Sequence, residues 1–138
     1  MINEFIYPLR VHIEDVDFAG VVYHSNYLNY LERARSEWAE EIGIGIHWQR
    51  AHGIYFPVHS ANLIYRKPAR LHENVEVVSR IKSIRPASIV YDQYLRAKDS
   101  PDKILFTAEI KIACVDLDLR PTPIPEIERL TSIWRTLT

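Results

Sequence analysis

A chain of 138 residues, 47% hydrophobic and 25% charged, has the size and composition of one ordinary globular domain, which excludes a disordered chain. Seventeen basic against eighteen acidic residues leave a net charge of −1 and no basic run to track a phosphate backbone, which argues against nucleic acid as a partner. One cysteine, Cys114, can build neither an intramolecular disulfide nor a cysteine zinc cluster and fits a reducing compartment. No apolar run approaches the ~18–20 residues of a membrane span, and the opening Met1-Ile2-Asn3-Glu4 lacks the pattern of a signal peptide. The expectation is a soluble, cytoplasmic protein with no transmembrane segment and a single domain over residues 1–138.

The first segment alternates with period two. Phe5, Tyr7, Leu9, Val11 and Ile13 share one face, and Ile6, Pro8, Arg10, His12 and Glu14 share the other, which predicts a half-buried strand that Pro8 confines to an edge or bulge. From Tyr27 the period changes: Tyr27, Leu31, Ala34, Trp38 and Ile42 recur at steps of three and four, flanked by Leu28 and Arg35, predicting a helix of about four turns. Ser25 or Asn26 is placed to supply an N-cap oxygen, Gly43 to supply a left-handed C-terminal residue, and Arg33 to pair with Glu37 across one turn. Residues 57–69 predict a further, less regular strand. The pattern then reads as a meander: a strand carrying Val75, Val77 and Ile81, a turn at Arg85-Pro86, a strand carrying Ile89, Tyr91, Leu95 and Ala97, a turn at 99–102, and a strand carrying Ile104 to Cys114. Pro125 followed by Ile127, Leu130 and Trp134 predicts a short C-terminal helix opened by proline. The order gives an α+β domain, one long helix on a curved antiparallel sheet of about five strands. One helix cannot cover such a sheet, so a self-complementary partner is expected, as a homodimer or homotetramer.

Acid and base groups concentrate in Glu14-Asp15-Val16-Asp17 and His24-Ser25-Asn26. Asp15, Asp17 and Gly20 occupy the first, third and sixth places of an EF-hand loop, but Ala19 stands in the fifth and Asn26 in the twelfth, so two ligands are missing. His47, His52, His59 and His72 have no helical spacing and no completing residues for a metal, and neither metal nor cofactor is expected. Acyl transfer fits better. A helix start offers unpaired N–H groups and partial positive charge to an acyl oxygen held near His24, Ser25 and Asn26. Asp17, partly desolvated beside an apolar acyl group, would serve as base or nucleophile, while His24 donates to the oxygen or positions water. Glu14 and Asp15 read as solvated or loop-orienting residues, Glu32 and Arg35 as a surface pair, and Cys114 as an inert buried thiol. Arg66, Lys67, Arg70 and Arg85 are candidates to attract phosphate groups of a substrate.

Three stretches, Glu14-Asp15-Val16-Asp17, Gly20-Val21-Val22-Tyr23-His24-Ser25-Asn26-Tyr27 and Tyr30-Leu31-Glu32-Arg33-Ala34-Arg35, resemble the hotdog-fold acyl-CoA thioesterases. The similarity is to the 4-hydroxybenzoyl-CoA thioesterase family and its YbgC-like branch, which is associated with the Tol-Pal system. Tyr65 to Leu71 and Arg85, Ser88 and Gln93 resemble the family more loosely. His12-Ile13 stands where the branch usually has aromatic residues. The resemblance implies a hotdog fold, Asp17 as the catalytic carboxylate, helix-start amides binding the thioester oxygen, and an active site at a dimer interface. It also implies metal-free cleavage of acyl-CoA to free acid and CoA. CoA and acyl carrier protein are both open as the carrier of the acyl group.

Two other classes compete. A hotdog dehydratase acting on a hydroxyacyl thioester would need a histidine and a carboxylate straddling the α and β carbons, and no separate histidine motif supplies them. A non-catalytic acyl-carrier or membrane-complex adaptor would keep the pocket as scaffold, and has no use for Asp17 at the helix start.

Overall fold

The alternating first segment forms β1 (Glu4–Arg10). In the computed structural model, which describes residues 4–137, β1 lies at one edge of a five-stranded antiparallel sheet. The signal-peptide reading therefore rests on residues 1–3, outside the described part. The chain then makes a 3-10 turn, Ile13–Asp15, and enters α1 (Asn26–Glu41). A short helix α2 (Ile46–Ala51), strand β2 (Ile54–Tyr55) and edge strand β3 (Val58–Tyr65) follow. The meander is β4 (Asn74–Arg85), β5 (Ser88–Ala97) and β6 (Ile104–Ala113), and the chain continues into β7 (Val115–Asp116) and α3 (Ile127–Leu137). The sheet order is β1-β4-β5-β6-β3, with β2 and β7 paired separately. The fold is thus α+β, a long helix on a five-stranded antiparallel sheet as the periods predicted, and it is the hotdog arrangement that the family resemblance implied.

α1 lies on the sheet because its apolar stripe has nowhere else to go. Tyr27, Tyr30, Leu31, Ala34 and Trp38 are all buried against Val75, Val77, Ile81, Tyr91, Leu95, Phe106 and Ile110. Burying each large side chain contributes about 1.5–3 kcal/mol. Phe5 of β1 stacks on Trp38, while Tyr27 stacks on Phe106 of β6 and meets Tyr65 of β3 edge-on, which ties both edges of the sheet to the helix. Gly43 follows the helix at φ +82°, a left-handed conformation that disfavours any residue with a Cβ.

Several local expectations fail for identifiable reasons. Ile13 does not continue the inward face of β1: the strand ends at Arg10, and Ile13 opens the 3-10 turn with 73% of its surface exposed. Neither Ser25 nor Asn26 caps α1 with its side chain. Ser25 holds the cap position in a helical conformation with no cap bond, and the Asn26 carboxamide is bonded elsewhere. Arg33 does not pair with Glu37; its guanidinium sits over the Tyr30 ring, 5.9 Å from the centroid. α3 begins two residues after Pro125, with Glu126 at φ +56° between them. α2 and the β2–β7 pair carried no period long enough to read.

Candidate active site at the start of the long helix

The acidic loop is a small hairpin. Val16 and Val22 form an antiparallel bridge, and Val21 bridges Arg70. The Asp17 N–H donates to the Val21 carbonyl at 3.0 Å, and the Gly20 N–H donates back to the Asp17 carbonyl at 2.9 Å. The turn closes through Gly20 at φ +78°, again a position that favours glycine. The Ala19 N–H donates to Asp17 Oδ1 at 2.8 Å, which fixes the half-buried carboxylate by one oxygen.

The helix start presents open donors. The Asn26 N–H is spent on the Tyr23 carbonyl at 2.9 Å, and the Leu28 N–H on the Ser25 carbonyl at 3.2 Å. The N–H groups of His24, Ser25 and Tyr27 take no protein acceptor among the described residues. Of the three amides expected to meet an acyl oxygen, the structure leaves those of His24 and Ser25 open and engages that of Asn26. Two tyrosines that sequence spacing could not connect to this point support it. The Tyr65 hydroxyl donates to the His24 carbonyl at 2.7 Å, and Tyr27 Oη accepts the Ala69 N–H at 3.1 Å. Burial, above all, raises the Tyr27 phenol, so it stays protonated.

A cleft of ≈240 Å³ opens beside this point, with His24 and Tyr27 on one wall and Tyr65, Arg66 and Lys67 on another. Arg66 and Lys67 therefore stand with His24, as a phosphate-bearing substrate requires. Arg70 is exposed on the adjoining segment that bridges Val21. Arg85 is not with them: it lies outside this cleft, at the opposite end of β4 from Asn74, roughly 35 Å along the strand at about 3.3 Å per residue. Among the described residues no group of three or more His, Cys, Asp or Glu converges to hold a metal, and no helix is long and apolar enough to cross a membrane.

Of the two readings open for Asp15, solvated or loop-orienting, the first does not hold: the residue is 8% exposed and its Oδ2 accepts the His12 N–H at 2.9 Å, a bond within the loop. Arg35 is not surface decoration: it is 7% exposed and donates to Gln93 Oε1 at 2.8 Å, while Gln93 Nε2 donates to Ser79 Oγ and the Leu31 carbonyl. Among the described residues its one ion-pair partner, Glu32 at 3.6 Å, is largely exposed, and burial lowers the Arg35 pKa. Cys114 is fully buried, and desolvation pushes its thiol up to about 11.

Residues 11–128 match the thioesterase-like superfamily. The chain belongs to that superfamily. It is 35% identical over 123 residues to the acyl-CoA thioester hydrolase YbgC of Escherichia coli O157:H7, covering 88% of this chain and 90% of that one. Among solved structures it is similar to a probable thioesterase from Bartonella henselae, with a TM-score of 0.81, 28% identity, and coverage of 88% of this chain and 99% of the other. The DHNA-CoA thioesterase of Staphylococcus aureus shares the fold at a TM-score of 0.87 and 23% identity, over 99% of this chain and 93% of that one.

Proposed function

We propose that this member of the thioesterase-like superfamily hydrolyses acyl-CoA thioesters, with Asp17 as the reacting carboxylate. The observation that carries the reading is the pairing of a carboxylate anchored by one oxygen with a helix start whose His24 and Ser25 N–H groups are open. An acyl oxygen lying against those donors would be polarised as it gains charge. Asp17, through its second oxygen, either takes a proton from a water that attacks the carbonyl carbon and passes it to the thiolate as the C–S bond breaks, or attacks the carbonyl carbon itself, expelling the thiolate and leaving an acyl–Asp17 anhydride that water then hydrolyses to the free acid and the regenerated carboxylate, the proton released by that water going to the thiolate. His24 is the side chain best placed in the cleft to donate to the oxygen or position water. Arg66 and Lys67, with Arg70 nearby, would attract the CoA phosphates. The similarity to YbgC supports acyl-CoA as the substrate, and association with the Tol-Pal system enters the proposal through the YbgC-like resemblance alone.

We further infer a homo-oligomer formed across β3. β1, the opposite edge, is blunted by Glu4, Pro8 and Arg10, whereas Val58–Tyr65 contains no Lys, Arg, Asp, Glu or Pro and is exposed at seven of its eight positions. A long uncharged edge of this kind templates pairing with another strand, and a second copy of β3 is the self-complementary choice.

The class is tested by incubating the chain with a panel of short, long, branched and aryl acyl-CoAs and with a 3-hydroxyacyl-CoA, following thiol release and enoyl absorbance in parallel. Saturable thiol release supports the proposal. Enoyl formation without thiol release would indicate a dehydratase, and no turnover with any substrate would indicate a binding scaffold.

A further inference from the structure

The loop that carries Asp17 and the helix that carries the open N–H groups are separate pieces, and a reaction between them needs their spacing fixed. The two arms of the hairpin hold each other through Asp17 N–H to Val21 O at 3.0 Å and Tyr23 N–H to Asp15 O at 2.9 Å. The outer arm is also paired with the 69–71 segment, through Val22 N–H to Ala69 O at 2.9 Å and Leu71 N–H to Gly20 O at 3.0 Å, but none of these bonds runs from α1 to the arm that carries Asp15 and Asp17. One side chain makes that link. Asn26, the first residue of α1, donates from Nδ2 to the Asp15 carbonyl at 2.9 Å, while its Oδ1 accepts from Asn29 Nδ2 at 3.1 Å.

The Asn26 backbone N–H also donates to the Tyr23 carbonyl at 2.9 Å, but among the described residues the Asn26–Asp15 contact is the one hydrogen bond of good geometry from α1 to the arm that carries Asp15 and Asp17. The Asp15 carbonyl thereby accepts two donors, its full capacity. Below it, the Asp15 carboxylate is fixed by the His12 N–H and lies beside the fully buried Tyr30 hydroxyl, which makes no hydrogen bond of good geometry. Asp15 is therefore a rigid anchor, and Asp17 lies only two residues beyond it.

We propose that the Asn26 carboxamide is a positioning group: by latching the first turn of α1 to the Asp15 carbonyl, it sets where the Asp17 carboxylate stands relative to the His24 and Ser25 N–H groups. The inference rests on the thioesterase reading above. Losing the latch leaves the Asp15–Asp17 arm held through the outer arm of the hairpin and no longer tied directly to the first turn of α1, and a displacement on the order of 1 Å can cost about a hundredfold in rate.

The test compares Asn26→Ala and Asn26→Asp, each alone and in the Asp17→Asn background, by thiol release from an acyl-CoA that the wild-type chain turns over, with melting curves. Asn26→Asp keeps the size and the contact from Asn29 but loses the donor toward Asp15, and a carboxylate is tolerated at a helix N-terminus, so the fold should survive. The expected result is a kcat lowered roughly 10–100-fold in both single variants, KM within about threefold and a small change in melting temperature. Neither substitution should lower kcat further once Asp17 is Asn, because the latch acts only through that carboxylate. Wild-type kcat in both Asn26 variants, or losses that multiply in the double variants, would overturn the latch while leaving the thioesterase reading standing. A fully active Asp17→Asn chain would overturn both.

Discussion

Replacing Asp17 by Asn removes a charge and a basic oxygen while changing almost nothing else. The bond from the Ala19 N–H to Asp17 Oδ1, 2.8 Å long, can be accepted by the Asn amide oxygen, and the backbone bonds of Asp17 to Val21 and Gly20 do not involve the side chain. The stability change should stay within about 1 kcal/mol, the net worth of one such hydrogen bond. The rate should not. Losing a general base costs on the order of 10²–10⁴ in kcat, which is about 2.7–5.4 kcal/mol of barrier at 1.36 kcal/mol per decade, and losing a nucleophile costs more. The assay is thiol release by purified Asp17→Asn beside wild type, with Asp15→Asn as control. The control keeps an acceptor for the His12 N–H, so it should retain substantially more activity. An active Asp17→Asn chain, or equal damage from both substitutions without unfolding, would refute the assignment of the carboxylate.

His24→Ala should slow turnover by about tenfold or less, well short of the loss expected at Asp17, because the His24 carbonyl stays fixed by Tyr65 and the backbone N–H groups remain; a folded variant as inactive as Asp17→Asn would make the imidazole essential. Arg35→Ala leaves Gln93 Oε1 without its donor inside the core, so chemical denaturation should show a loss of about 1–3 kcal/mol, and an unchanged stability would mean that the buried guanidinium contributes nothing net. Burial lifts the Cys114 thiol to about 11 from 9.0 and the Tyr91 phenol to about 12 from 10.0. The unfolded chain loses these protons first, so the stability they contribute is present below pH 9.0 and is lost as pH rises through 11 and 12. Denaturation midpoints that stay flat over that window would contradict this, and Cys114→Ala should soften the lower part of the decline. Ala61→Lys places a charge on the exposed edge strand β3 and should shift light scattering toward monomer, whereas an unaffected oligomer would locate the interface elsewhere.

The large elements were legible because their periods follow directly from burial on one face. Tyr27, Leu31, Ala34 and Trp38 recur at helical steps and are all buried, and the meander strands alternate in the same way around their proline and aspartate turns. What escaped was either short or nonlocal. α2 has six residues and none of them is buried, so it imprints no stripe on the sequence. The burial of Arg35 depends on Gln93, 58 residues away, and the support of His24 on Tyr65, 41 residues away. Whether Asp15 was solvated or loop-orienting stayed open in the sequence because nothing local reveals that the 3-10 turn folds its carboxylate inward. At the site itself, the residue types and their order were readable. The division of labour among His24, Ser25 and Asn26 was not, since it depends on which N–H groups the turn at Tyr23 consumes.

The central claim, that an acyl-CoA is cleaved by water at the junction of the acidic hairpin and α1, is tested most directly by product analysis. Wild-type chain incubated with each acyl-CoA of the panel is quenched, and free acid and free CoA are quantified by mass spectrometry. The account predicts that both appear together in one-to-one stoichiometry from at least one substrate, at a rate that saturates and falls by at least about 10² in Asp17→Asn. Acyl-CoA recovered intact across the whole panel, or free acid and CoA formed equally fast by the Asp17→Asn chain, would contradict it.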